Sequence, residues 1–279
     1  MSGVAPVDAR ARPPVLLLAG IGLMAAVALR AASHLDAHFR VLAAPIGAAA
    51  DDRTADEPAV ATTEAALALL DRAGVEQAHV IGLSFGGSIA QEIAIRHPER
   101  VRSLVLGSST AGGALYVAPK RPIRAFIRRL VDLPAEEGLW ATVPYLYAET
   151  TRSRHAPLIG EDIARRMSQP LDPRAYRAQY ATARAHDTNA RLAAITAPTL
   201  VVHGEHDRIL PLENGRFLAG AITGARFIAL QTGAHAFPTD VPDATEELVR
   251  FLLAHSHPQA RPAMTQRSGA SRNARAGRA

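Results

Sequence analysis

The sequence predicts an α/β fold, a mostly parallel sheet flanked by helices with a helical insertion, on three observations. Short apolar runs alternate with amphipathic stretches from Val15 onward, the pattern of repeated strand–helix–strand units. Between about residues 110 and 190 the alternation stops. Helical stretches broken by Pro119, Pro122, Pro134, Pro144, Pro157, Pro170 and Pro173 replace it, with no strand pattern among them. Finally, Gly82-Leu83-Ser84-Phe85-Gly86 lies between an apolar run and an amphipathic run, so that a serine tops a strand-to-helix turn.

Residues 15–18 read as the first strand, 19–22 as a glycine-bearing loop and 23–34 as a helix. The next strand is 39–43. A helix over 57–72 follows, with Ala61, Ala65, Ala68 and Leu69 expected on its inner face and Gly74 ending it. The strand 78–83 leads into the serine turn. The helix after it buries Ile89, Ala90 and Ile93 and stops at Pro98, which cannot continue a helix. Residues 101–106 are apolar throughout, as expected where helices cover both sheet faces. Beyond the insertion, strands at 198–203 and 226–230 alternate with helices at 212–219 and 244–255. The domain organisation expected is a flexible start over 1–13, an α/β domain over 14–255 and a disordered basic tail over 256–279.

Composition narrows the chemistry. At 279 residues and 48% hydrophobic content the chain can build a full core, and without cysteine it can hold no disulfide, thiol nucleophile or thiolate metal site. That composition fits a reducing cytoplasm, the location expected. The net charge of +5 equals the contribution of Arg261, Arg267, Arg272, Arg275 and Arg278 in a tail without acids or lysine. The body therefore carries no global basic field, and neither nucleic acid nor a membrane is expected as a partner. Arg10 and Arg12, the apolar stretch 15–29 and small residues up to Ser33 also have the make-up of a secretory signal. The strand–loop–helix reading is preferred, because the chemistry below needs the segment retained.

A serine hydroxyl is a poor nucleophile until a base takes its proton, and the base needs a carboxylate to orient it. Of eleven histidines, His235 lies in a loop just after the last strand, at the sheet edge where Ser84 would sit. His203, inside a strand, and His97, before Pro98, read as structural. Asp207 follows the preceding strand and is the candidate orienting acid. Glu205, Asp240 and Asp243 are its rivals, with Asp240 expected to charge the N-terminus of the last helix. Two backbone amides are candidates for holding an oxyanion: Phe85 N–H at the start of the helix after Ser84, and Ile21 N–H in the loop Ala19-Gly20-Ile21-Gly22. No cofactor or metal is called for.

With the order Ser84, Asp207, His235, the chain resembles the α/β-hydrolase superfamily over about residues 14–255. The likeness rests on Gly82-Leu83-Ser84-Phe85-Gly86-Gly87, Pro98-Glu99-Arg100-Val101, the stretch 197–207 and Gly233-Ala234-His235-Ala236-Phe237. Residues 19–22 and 109–113 are also similar to stretches of intracellular poly(3-hydroxyalkanoate) depolymerases and related esterases. The resemblance implies a cofactor-independent serine hydrolase using a Ser84–Asp207–His235 triad on a small-molecule or oligomeric ester. It further implies that the insertion forms a lid over a mainly apolar pocket. Lactonases, peptidases, carbon–carbon bond hydrolases and cofactor-free haloperoxidases share the same serine, and an inactive binding protein on this fold is the alternative outside enzymes. Two departures stand out: residues 44–52 lack the family's usual Asp-x-Arg-Gly-type turn, and the family's first two antiparallel strands have no counterpart before Pro14.

Overall fold

The computed structural model describes residues 11–22, 24–44, 58–168 and 172–256. Residues 1–10, 45–57 (the altered loop 44–52 except Ala44) and the tail from 257 lie outside the described residues. The sheet has six parallel strands, β1 (Pro14–Leu18), β2 (Arg40–Ala44), β3 (Ala78–Leu83), β4 (Val101–Gly107), β5 (Thr199–Gly204) and β6 (Arg226–Leu230), in the order β2-β1-β3-β4-β5-β6. The segment with signal-like composition supplies β1, paired on one side with β2 and on the other with β3, and the helix α1 (Met24–Leu35).

Strand side chains alternate between two apolar layers, which explains the unbroken apolar runs. Val15, Leu17, Ile81 and Leu83 pack on one face with α1 and α11 (Asp243–Ala254). Leu16, Leu18 and Val80 pack on the other with α2 (Pro58–Arg72), α3 (Phe85–Arg96) and α9 (Leu212–Ala221). Each fully buried leucine contributes about 2 kcal/mol by leaving water. The inner face of α2 differs from expectation: Thr62, Thr63, Ala66, Leu67 and Leu70 are buried, while Ala65 is exposed. The helix is rich in alanine and buries two threonines, so the polarity contrast that marks an inner stripe is weak there.

Between β4 and β5 the chain runs through α4 (Arg121–Arg129), α5 (Ala135–Leu146), α6 (Glu149–Arg154), α7 (Ala156–Met167) and α8 (Pro173–Ala185). The two ends of this insertion meet at one point. Gly112 and Asp187 form an antiparallel bridge, Gly113 N donates to His186 O at 3.0 Å, and Thr188 N donates to Ala111 O at 3.0 Å. After β6 a short helix, α10 (Phe237–Asp240), precedes α11. Among the described residues no helix is long and apolar enough to cross a membrane.

Candidate active site

In this strand order the chain leaves β1 toward one sheet edge and β3 toward the other, so a crevice opens between their carboxyl ends. Ser84 sits there, between β3 and α3. Its backbone has φ 54 and ψ −121, a left-handed conformation that costs a non-glycine residue about 1–3 kcal/mol. The flanking glycines make it attainable. A Cβ on Gly82 would lie 2.5 Å from Gly86 O, and one on Gly86 only 2.1 Å from Leu18 O, so both must be hydrogen. The turn is then pinned from β4: Ser84 N donates to Gly107 O at 2.8 Å, and Ser109 Oγ donates to Ser84 O at 2.9 Å.

The loops after β5 and β6 bring Asp207 and His235 to this serine. His235 Nε2 is 2.9 Å from Ser84 Oγ, and His235 Nδ1 is 2.7 Å from Asp207 Oδ2. A carboxylate can only accept, so Nδ1 carries the proton, and Nε2 is left to accept the serine hydroxyl. Ile209 N and Leu210 N donate to Asp207 Oδ1 at 2.9 and 2.8 Å, fixing the carboxylate plane. Burial alone would raise the Asp207 carboxyl. The neighbouring imidazoles of His235 and His203 outweigh it and hold the group well below the ordinary carboxylate range. His235 and Asp207 are both buried, which strengthens every interaction between them.

His203 donates from Nε2 to Leu210 O at 2.7 Å and lies 3.3 Å from Asp207 Oδ2, so it braces the acid as well as its strand. Glu205 and Asp243 are exposed. Asp240 departs from expectation. It does not charge the start of α11 but accepts from Ala234 N at 2.8 Å and Ala148 N at 3.0 Å. Its carboxylate is taken up by these two backbone donors, one of them far back in the chain, and the first turn of α11 has its own acids in Asp243 and Glu246.

Ser84, Phe85, Ile21, Gly22 and His235 share the wall of a cavity of about 630 Å³. A Cβ on Gly20 would stand 2.8 Å from Ser84 Cβ, so the 19–22 loop passes directly beside the serine. Most of the remaining wall belongs to the insertion. Leu130, Leu139 and Leu146 make it apolar; Tyr116 and Tyr176 add phenols pushed up to about 12 by burial, hence neutral donors. Trp140 and Tyr145 are elsewhere: Trp140 is half exposed, and Tyr145 packs on Phe126 with Arg208 over its ring.

Arg166, on α7, is the site residue that sequence reasoning missed. It is only 8% exposed, lines the cavity and donates from Nε to Gly22 O at 2.9 Å. Among the described residues no carboxylate lies within ion-pair distance of it, and burial lowers its pKa; a guanidinium in a protein stays charged. In the sequence it is one of two adjacent arginines on an amphipathic helix, with nothing to mark it as the inward one. The described residues contain no cluster of side chains able to hold a metal ion.

The family described as alpha/beta hydrolase fold matches residues 13–240. A putative carbamate hydrolase of Azorhizobium caulinodans is 33% identical over 183 residues, covering 65% of this chain and 68% of that relative. A 2-hydroxymuconate semialdehyde hydrolase of Pseudomonas putida is 31% identical over 199 residues, covering 69% of this chain and 68% of the relative. Among solved structures, a hydrolase from Pseudomonas aeruginosa superposes with a TM-score of 0.69 at 27% identity, covering 86% of this chain and 90% of that one. The matched span holds every strand of the sheet together with Ser84, Asp207 and His235, and the chain belongs to the α/β-hydrolase fold family.

Proposed function

We propose that this protein is a serine hydrolase that cleaves a carboxylic ester or a related carbonyl compound through a covalent acyl-enzyme. The observation that carries the reading is the continuous chain from Asp207 through His235 to Ser84, at 2.7 and 2.9 Å, opening on a cavity flanked by Ile21 and Phe85. Ser84 Oγ attacks the carbonyl carbon while His235 Nε2 takes its proton. Asp207 stays ionised, keeps the imidazole in its working tautomer and offsets the charge it gains. The oxyanion turns toward the Ile21 and Phe85 amides; one such donor is worth about 3 kcal/mol of transition-state stabilisation. His235 then protonates the leaving group, and water attacks the acyl-serine by the reverse proton path. The insertion acts as a lid, and its apolar lining accommodates the substrate's hydrocarbon part.

Arg166 refines the substrate. A guanidinium held in a cavity wall without a carboxylate partner suits a substrate that brings its own anion, since a paired charge is far cheaper to bury than a lone one. The same observation favours a second reading, hydrolysis of a carbon–carbon bond next to a carbonyl in a keto acid. The relative named for 2-hydroxymuconate semialdehyde, a carboxylate by its name, supports that reading.

The test is hydrolysis of p-nitrophenyl esters of graded chain length, neutral or ending in a carboxylate, by wild type, Ser84→Ala and Arg166→Gln. Wild type should turn over both series and prefer the carboxylates, and Ser84→Ala should be inactive on both. Arg166→Gln should lose about 10- to 100-fold in the preference itself, the worth of one charged hydrogen-bonded pair. Equal turnover by wild type and Ser84→Ala would refute the acyl-enzyme.

A further inference from the structure

The backbone around His235 is held on both sides by the insertion. Ala236 N donates to Leu146 O at 2.8 Å, at the end of α5. On the other side Ala234 N donates to Asp240 Oδ2 at 2.8 Å, and the second oxygen of the same carboxylate accepts Ala148 N at 3.0 Å. The Thr151 side chain on α6 stands by the same carboxylate and favours its ionised form. Asp240 is thus a bridge between the histidine loop and residues 148–151. The neighbouring Thr239 donates from Oγ1 to the fully buried Asp162 Oδ2 at 2.7 Å. Tyr147 donates its hydroxyl to that same oxygen at 3.1 Å, and Arg30 Nε donates to Oδ1 at 2.9 Å. Two carboxylates on or against α10 and α7 therefore lock the 146–151 segment to the loop that carries the imidazole.

From these contacts we infer that Asp240 is a positioning residue, which sets the reach of His235 toward Ser84 by tying its loop to the insertion; this rests on the acyl-enzyme reading. The chemistry requires an acceptor at both oxygens, because both bridged groups on the backbone are donors. Asparagine has almost the same shape but presents an amide NH2 at one of the two positions, facing an N–H. One half of the bridge must then open, and the histidine loop moves relative to its serine. A displacement of about 1 Å of a reacting group costs on the order of 100-fold in rate. Substrate contacts are untouched, since Asp240 does not line the cavity.

The experiment compares wild type, Asp240→Asn and Thr151→Val by circular dichroism, by steady-state hydrolysis of a p-nitrophenyl ester and by the rate of labelling with a fluorophosphonate probe. Asp240→Asn should fold, keep KM within about twofold and lose about 10- to 100-fold in kcat and in labelling rate. Thr151→Val, which removes from the insertion side the hydroxyl that favours the ionised Asp240, should show the same pattern at a smaller size. A folded Asp240→Asn with wild-type kcat and labelling overturns the inference while leaving the acyl-enzyme intact. Should Asp240→Asn fail to fold, Thr151→Val decides: a kcat loss at constant KM supports the bridge, and unchanged kcat overturns it. A wild-type chain that neither labels nor turns over refutes the acyl-enzyme reading itself.

Discussion

At the carboxyl edge of the sheet, Ser84, Asp207 and His235 each follow a strand by a few residues, and the strand order alone brings them together. In the insertion, by contrast, the groups that reach the cavity or the histidine loop stand on helices with no such common edge. Arg166 arrives from α7 to meet Gly22, while Leu146 and Ala148, at the junction of α5 and α6, meet Ala236 and Asp240. The difference is one of reference frame. Sheet register fixes the first set against one another, whereas the second set is fixed only by packing and by long-range hydrogen bonds. Changes at the sheet edge should accordingly reach every substrate alike. Changes in the insertion should discriminate between substrates or act through the backbone.

With Ser84 and its base His235 left in place, the largest effect expected from breaking the sheet-edge set is at Asp207. Asp207→Asn keeps the shape but offers an amide that favours the wrong imidazole tautomer, and kcat should fall about 10⁴-fold for neutral and carboxylated esters alike. Steady-state assay of both series checks it. A loss confined to one series would place Asp207 in substrate selection and erase the contrast with Arg166.

The same contrast marks what the sequence made legible. The strands announce themselves because residues such as Leu16 and Leu17 are buried on opposite faces, so whole runs are apolar. The serine turn is legible because Gly82 and Gly86 answer a local steric demand. Asp240 is not, because its position before α11 suggests a local role, while its partner Ala148 lies far back in the chain. His203 reads as a strand residue, and its approach to Asp207 depends on how the following loop folds back. On α7, Arg165 and Arg166 look alike in sequence; the structure turns one toward Asp162 and the other toward Gly22.

A smaller effect probes both regions at once. His79, in β3, hydrogen-bonds Ser103 at 2.8 Å and Ser256 at 3.1 Å; His186 closes the insertion beside Thr188. Burial lowers both from 6.5 to about 4. Each binds its proton less readily folded than unfolded, so the unfolded chain takes up the extra protons as pH falls from 6.5 toward 4, and stability falls with it. The loss should approach about 2–3 kcal/mol for each histidine. Denaturant unfolding between pH 7 and pH 4 measures it, and His79→Gln or His186→Gln should each remove about half of the pH dependence. A flat profile would show that neither imidazole stays neutral in the fold.

The central claim is that Ser84 becomes acylated with His235 as its base, and intact-mass analysis after exposure to a fluorophosphonate probe tests it most directly. The account predicts one adduct per chain, located on the peptide carrying Ser84, absent from Ser84→Ala and formed far more slowly by His235→Gln. An adduct on another residue, or labelling of Ser84→Ala at the wild-type rate, would contradict it.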